Sequence, residues 1–279
     1  MIQKSYEKNK FGNLYLVPTP IGNLEDITFR ALNILKEVDI VYAEDTRETY
    51  NLLKYYKIDK RIESCHKYTE MKHKDKIVNI LKNGKNIAYV TDRGTPLISD
   101  PGNIIVDECI KNDINVISLP GPNALLPALN MSGISNEKFL FFGFLNNKKE
   151  LARKQLIQLK SINVPIIFYE SPYRLKNTVQ LLYDVLGNRK AAIIREISKI
   201  HEEVIRGSLL ELLDMCDNIK GEIVIIVEGN KEIKTINIDY KKLVDEYVKN
   251  GMSTRDAVKK ISFEYNINKN KVYNEVKEQ

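Results

Sequence analysis

Three short stretches carry side chains that can do chemistry. "AEDTRETYNLL" sets Glu44, Asp45 and Arg47 within four residues, directly after an apolar run. "FYESPYRL" (168–175) puts Glu170 four residues before Arg174. "REISKIHEEVIRG" (195–207) is denser, with Arg195, Glu196, Lys199 and His201 at its start. Carboxylates so grouped suit proton transfer, and the cations beside them suit phosphate or carboxylate ligands. Each stretch also has a plainer use. Asp45 can cap a helix, Glu170 and Arg174 can form a structural ion pair, and a charge run usually lies on a solvated face. A fourth stretch, "TDRGTPLISDPG" (91–102), holds two Gly, two Pro and two Asp in twelve residues, with Arg93 between Asp92 and Gly94. It is too rich in turn formers to be a mere connection. His66 and His73 lie seven residues apart. Metal binding is not expected of them, and His66 reads as a polar contributor to a cleft. No Ser/His/Asp or Cys/His triad suggests itself.

The elements that must position these groups follow from periodicity. Short β-rich runs recur at "LYLVP" (14–18), "DIVYAE" (39–44), "NIAYVT" (86–91) and "NVISLP" (115–120). Helical patterns lie between them. In "DITFRALNILKEV", Ile27, Ala31, Ile34, Leu35 and Val38 share one face; 46–57 and 70–83 behave similarly, the second ending at Gly84. Such alternation implies a mostly parallel sheet covered on both faces, with ligands at its carboxyl edge. After a boundary near 121–125 comes a second α/β series, richer in hairpin-like pieces. It runs through "FLFFGFL" (139–145), a basic helix at 148–160, "PIIFYE" (165–170), a helix from Pro172 to Gly187, "KAAIIRE" (190–196) and "EIVIIVEG" (222–229). The expected division is 1–122, 123–230 and 231–279. The last part reads as three short helices, with Ser253 and Asn268 as candidate N-caps of the second and third. It holds 11 Lys/Arg against 8 Asp/Glu, half of the chain's net +6. A helix-turn-helix-like appendage that meets nucleic acid and a plain helical cap are equally compatible with it.

At 279 residues the chain has room for one large or two compact domains. Its charge permits an anionic partner without requiring one. Three scattered cysteines, Cys65, Cys109 and Cys216, form no CxxC pair and fit a reducing cytoplasm. No signal peptide and no membrane span are visible. "VPTPIGNLEDIT" sits where a phosphate loop would, yet lacks both glycine signatures, and Pro18 and Pro20 have no N–H to offer. A nucleotide-triphosphatase reading is therefore poor. Spacing alone reaches a two-domain α/β enzyme with a crevice of strand-end loops, and it does not name the reaction.

In order, "LYLVPTPIGNLEDITFRAL", "VYAEDTR", "TDRGTPLISDPG", "LPGPNAL", "FLFFGFL", "FYESPYRL", "REISKIHEEVIRGSL" and "GEIVIIVEG" resemble the motif series of one family. It is the bacterial 16S rRNA (cytidine-2′-O)-methyltransferases of the RsmI type, within the tetrapyrrole methylase (class III) superfamily. The resemblance spans about residues 14–229, and the last 49 residues are similar to that family's small C-terminal helical domain. It implies two α/β domains of the tetrapyrrole methylase type with a cofactor cleft between them, and a homodimer. It implies S-adenosylmethionine (SAM) as co-substrate, no metal, and the 2′-oxygen of cytidine 1402 in the 16S rRNA of the 30S subunit as acceptor. By the family pattern, SAM meets Asp92, Gly94 and Thr95, the turn Pro122, Asn123 and Ala124, Tyr169 and Glu222, with Pro20 in a loop closing one side. Glu170 and Glu196 are then candidates to take the hydroxyl proton, with Arg195 and Lys199 beside them at the catalytic centre. Arg47, Arg93, Arg174 and His66 are candidates for RNA contact. Two positions depart from the family pattern: Arg93, where a small residue is usual, and Tyr173, where a His is common. A guanidinium facing a sulfonium is unfavourable, so Arg93 is expected to turn towards RNA phosphate or a neighbouring acid.

Three other readings share parts of this pattern. A methylase of a sirohaem or cobalamin precursor shares fold and cofactor, but has no need of the basic helical appendage. A diphthine-synthase-like protein methylase fits the motif wording less well. A non-enzymatic RNA-binding module predicts RNA binding that SAM does not affect.

Overall fold

The computed structural model describes residues 2–4, 10–134, 137–231, 239–264 and 268–277. The chain divides into two compact units, 1–230 and 231–279. In the first unit, strands β1 (Leu14–Leu16), β2 (Ile40–Ala43), β3 (Arg61–Ser64), β4 (Ile87–Val90) and β5 (Val116–Ser118) form one sheet. Its order is β3-β2-β4-β1-β5 and every pair is parallel. Every residue of β2 and β4 is buried, as a sheet covered on both faces demands.

Helices α1 (Phe29–Glu37) and α2 (Thr46–Tyr55) cover one face, where Ala31, Leu35 and Leu53 pack on Val41, Ala43, Ala88 and Val90. Helices α3 (Glu70–Lys82) and α4 (Asn103–Lys111) cover the other, where Ile77, Leu81 and Ile105 meet Tyr42, Ile87 and Tyr89. The neighbours β1 and β4 thus send their connections to opposite faces. That is a topological switch point, and α/β sheets gather ligands at the carboxyl ends of such strands. Helix starts follow the expected chemistry: the Thr28 hydroxyl accepts from the Ala31 N–H at 3.1 Å, and Asp45 accepts from the Arg47 N–H at 2.8 Å.

The second sheet contains β6 (Leu140–Phe144), β7 (Ile166–Glu170), β8 (Lys190–Arg195), β9 (Glu203–Ser208) and β10 (Ile223–Val227), in the order β6-β7-β10-β8-β9. Only β6 and β7 pair parallel. Helix α5 (Leu125–Ser132) packs on one face through Ala128 and Leu129, and α6 (Lys149–Leu159), α7 (Leu175–Leu186) and α8 (Leu209–Met215) cover the other. One boundary differs from expectation. Helix α7 begins at Leu175, because Pro172 lies in a tight turn closed by the Arg174 N–H donating to the Ser171 carbonyl at 3.1 Å. The charge run 195–207 is the end of β8, a turn and the edge strand β9. All three cysteines are free and buried.

The second unit holds α9 (Tyr240–Lys249), α10 (Thr254–Glu264) and α11 (Lys269–Lys277) around a small core of Tyr240, Val244, Ala257, Val258, Ile261 and Val272. Ser253 accepts from the Asp256 N–H at 3.2 Å, and Asn268 from the Asn270 N–H at 2.9 Å, so both expected caps form. The predicted ends of the last two helices, Tyr265 and 278–279, lie outside the described residues. No described helix is long and apolar enough to cross a membrane.

Candidate functional site

The loop after β4 is built for close approach. Gly94, at φ +81°, exchanges two backbone hydrogen bonds with Thr19, each 2.9 Å. This ties the β4 loop to the β1 loop across the switch point. Beyond it the loop crosses the left-handed region at two residues with side chains, Leu97 (φ 72°) and Ser99 (φ 71°), and again at Gly102 (φ 127°). Non-glycine residues there cost about 1–3 kcal/mol each and cluster at ligand sites. The Thr95 hydroxyl donates to the Pro122 carbonyl at 2.9 Å. Asn123 accepts from the Leu126 N–H at 3.0 Å, starting α5. Glu70, buried at the head of α3, accepts from the Gly102 N–H at 2.5 Å and the Ile104 N–H at 3.3 Å, capping α4 from a distance. Glu70→Ala leaves the buried Gly102 N–H and the half-buried Ile104 N–H unpaired and should cost about 1–3 kcal/mol in urea unfolding, with weaker ligand binding at the loop it anchors.

These segments wall a cleft of about 380 Å³, within the range of small-molecule sites. Its far side comes from the second sheet. The carboxyl end of β7 and the amino end of antiparallel β10 stand together, with Glu170 opposite Ile223. Ile98, Phe144, Tyr169, Ile197, Ile223 and Val224 give it an apolar lining. Tyr169 is held edge-on between Phe141 at 5.0 Å and Phe144 at 5.6 Å, and burial followed by the charge of Asp100 pushes its hydroxyl up to about 12.

Asp100 lines this cleft, and it stands in an acidic neighbourhood. Its carboxyl is pushed up to about 7, first by burial, then by the charges of Glu44 and Asp92. Glu44 is raised too, by burial and then by Asp92. An apolar slot with close backbone approach and an under-neutralised acid cluster suits an organic cation with a flat apolar portion.

A chain of charges crosses the mouth of the cleft. The Arg93 guanidinium donates to Glu222 at 2.5 Å, the Lys199 ammonium to Glu222 at 3.1 Å and to Glu196 at 2.8 Å. Glu196 also accepts from the Glu222 N–H at 2.9 Å, and the Lys199 ammonium holds its carboxyl below the usual range. Arg93 therefore turns to a neighbouring acid. Glycine permits the arrangement: a Cβ at Gly221 (φ +93°) would stand 2.3 Å from the Glu196 carboxylate, and one at Gly22 would stand 2.3 Å from Lys199 Cγ.

Of the residues singled out from sequence, Arg93, Gly94, Thr95, Asn123, Ala124, Tyr169, Glu170 and Glu222 line the cleft. Pro122 adjoins it through its carbonyl. Pro20, Asp92 and Lys199 line a second cavity next to it, which Arg93 shares. Glu170 presents almost none of its side chain to solvent (1%); its oxygens accept from the Ser171 N–H at 2.8 Å and the Thr178 hydroxyl at 2.6 Å, with the Arg174 guanidinium 3.4 Å away. Arg174 also donates to the Leu145 and Asn146 carbonyls, and Arg195 to Glu203. Neither lines a described cavity. Arg47 pairs with Asp45, holding that carboxyl down at about 2, and lines a shallower cavity with Tyr50 and Lys60. His66 sits behind the strand ends, edge-on to Tyr68 and near enough to lower Glu44. Sequence reading missed Asp100, Ser99 and Phe144. The signal for Asp100 was its place in "SDPG", which reads equally as a helix start.

Comparison with known proteins gives the family. Residues 13–213 match the Tetrapyrrole (Corrin/Porphyrin) Methylases family. The ribosomal RNA small subunit methyltransferase I of Bacillus subtilis (strain 168) is 44% identical over 275 residues, covering 95% of this chain and 94% of its own. That of Halalkalibacterium halodurans is 41% identical over 281 residues, covering 98% and 97%. Among solved structures, uroporphyrin-III C-methyltransferase from Thermus thermophilus, complexed with S-adenyl homocysteine, superposes with a TM-score of 0.57 at 18% identity, over 78% of this chain and 97% of that one. A superposition of that extent, at that level of identity, establishes a shared fold. The chain belongs to the tetrapyrrole (corrin/porphyrin) methylases, and within them to the family of the ribosomal RNA small subunit methyltransferases I.

Proposed function

We propose that the protein transfers the methyl group of SAM to the ribose 2′-oxygen of cytidine 1402 in 16S rRNA, acting on the 30S subunit as a cytoplasmic homodimer. The observation that carries this reading is the extent of the match: relatives named for small-subunit rRNA align over up to 98% of the chain, the terminal helical unit included. The domain division goes with it, 1–122 and 123–230 flanking the cleft and 231–279 adding basic surface for RNA.

The cleft fits SAM on its own chemistry. Ile98, Phe144 and Tyr169 offer apolar surface to an adenine, Gly94 allows close backbone approach, and Asp100 with its acidic neighbours offers charge to a sulfonium and an ammonium. When bound, SAM supplies a methyl carbon already activated by positive sulfur. The protein's own task is then to hold the 2′-oxygen in line, exclude water and receive the hydroxyl proton. The 2′-O–CH3 bond forms as the S–CH3 bond breaks, and the ribose proton leaves to a carboxylate or water. Glu196 and Lys199 stand at the mouth of the cleft, where Lys199 can stabilise an oxygen becoming negative. Glu170 and Arg195 hold the walls, and Arg47 and Arg93 meet RNA phosphate. Lys199→Met should slow single-turnover methylation about 100-fold while SAM affinity, read by calorimetry, stays within twofold.

A second reading, methylation of a tetrapyrrole, rests on the fold shared with uroporphyrin-III methyltransferase. Incubation with methyl-labelled SAM and either unmethylated 30S subunits or uroporphyrinogen III separates them. Label in 16S rRNA is the expected outcome; label in the porphyrinoid alone would overturn the proposal.

A further inference from the structure

The cleft is not the sole concavity at the switch point. A second cavity, of about 490 Å³, lies on the other side of Arg93, which lines both. One wall is the strand end Thr91, Asp92 and Arg93; the β1 loop and Lys199 supply another. The remaining wall is a single face of α2. Glu48, Asn51, Leu52 and Tyr55 follow one another at i, i+3, i+4 and i+7, the spacing that lines up one side of a helix. Thr49 and Leu53 are the buried residues of this helix, Leu53 in the core and Thr49 at the back of the cavity.

The chemistry of this wall is ordered. Tyr55 is 61% exposed, and its ring is braced edge-on by Tyr56 at 4.9 Å, whose hydroxyl is in turn bonded to the Leu24 carbonyl. A fixed, open aromatic face is what unstacked bases settle on. On the same face an amide, Asn51, stands one turn from Tyr55 and a carboxylate, Glu48, two turns from it. The cations Arg93 and Lys199 lie on the side nearest the methyl-donor cleft, where a ribose and its phosphate would reach. An acceptor oxygen must come within about 3–3.5 Å of the carbon it attacks. The acceptor therefore needs a concavity sharing a wall with the donor cleft, and this one does.

Resting on the rRNA-methyltransferase reading, we propose that this second cavity seats the acceptor nucleoside and that Glu48 selects cytosine over uracil there. Cytosine presents an exocyclic amino group where uracil presents a carbonyl oxygen. A carboxylate accepts a hydrogen bond from the first and repels the second. Tyr55 stacks the base without regard to its identity, and Asn51 meets the remaining edge. Gly22 belongs to the same device, because a Cβ there would displace the Lys199 stem from the cavity wall.

The test uses 30S subunits reconstituted with 16S rRNA carrying either cytidine or uridine at the methylated position, under single-turnover conditions with labelled SAM. The wild-type protein should prefer cytidine at least tenfold. Glu48→Gln, on the exposed side of α2, should keep SAM affinity and thermal midpoint while that preference collapses to within about threefold. Tyr55→Ala should slow both substrates alike and leave the ratio unchanged. A Glu48→Gln protein that discriminates like wild type overturns the proposal, and so does one that loses SAM affinity, since Glu48 would then belong to the donor side. A wild-type protein that binds SAM yet labels neither rRNA would instead contradict the rRNA reading itself, and this inference with it.

Discussion

Asp100→Asn is expected to weaken SAM binding by about 10- to 100-fold at pH 8, measured by calorimetry. The magnitude is that of one hydrogen bond or close contact to a charged group in a half-buried site, about 1.5–3 kcal/mol. The pH dependence makes the prediction specific. Burial and the charges of Glu44 and Asp92 push the Asp100 carboxyl up to about 7, so in the free protein it is partly protonated near neutrality. A cationic ligand favours the ionised form. Wild-type affinity should therefore fall as pH drops below about 7, by up to tenfold per unit, with proton release on binding; the Asn variant should show a much flatter profile. Stability should move the opposite way. The folded pKa of this carboxyl lies above its unfolded value of about 4, so folding prefers the neutral form. The group is least costly below pH 4 and becomes a burden as pH rises towards 7. Asp100→Asn should thus be more stable than wild type at pH 8 while binding SAM worse. A variant that binds SAM normally at pH 8 would remove Asp100 from the donor site.

Glu170→Ala should destabilise the first unit by about 3 kcal/mol in urea unfolding. Its carboxylate is enclosed and bonded to the Ser171 N–H and the Thr178 hydroxyl, with the Arg174 guanidinium alongside. Removing it strands a buried hydroxyl and leaves a cation without its acid, the costly way to break a buried pair. Glu170→Gln keeps an acceptor oxygen and should recover part of the loss. Methylation by the Gln variant should track the fraction folded. If instead Glu170→Gln folded like wild type and lost turnover at saturating SAM, Glu170 would be the proton acceptor and the positioning role would fail.

The contrast between these two carboxylates shows where sequence reading stops. β2 and β4 are legible because a strand buried on both faces is apolar at every position, and "IVYA" and "IAYV" are. β3, "RIES", escapes because it is an edge strand with two charges in four residues, and β9, "EVIRGS", hides in a charge run for the same reason. The loop 91–102 announces itself through its turn formers. Yet Leu97 and Ser99 hold positive φ without the glycine that would betray it. Composition cannot tell which side of a strand end a side chain faces. Asp92 and Arg93 are adjacent in sequence, but Asp92 lines only the second cavity while Arg93 lines both. In the same way "FYES" gives a carboxylate at a strand end and cannot tell that the helix behind it has closed over both oxygens. Asp100 is the reverse case: one more polar residue among turn formers in the sequence, it stands in the cleft with acids for neighbours. What a local pattern encodes is the element. What the site needs is the packing of two sheets against each other, and that is written in residues more than a hundred positions apart, as in Arg93 and Glu222.

The central claim is that this family member modifies a ribose of small-subunit rRNA. Its most direct test is the chemical identity of the product. Unmethylated 30S subunits should be treated with the protein and SAM, the 16S rRNA digested to nucleosides, and the methylated nucleoside identified by mass spectrometry. The account predicts one new 2′-O-methylcytidine per subunit, formed only with SAM present and greatly reduced with Lys199→Met. A methyl group found on a base, or none in rRNA while a tetrapyrrole is methylated, would contradict it.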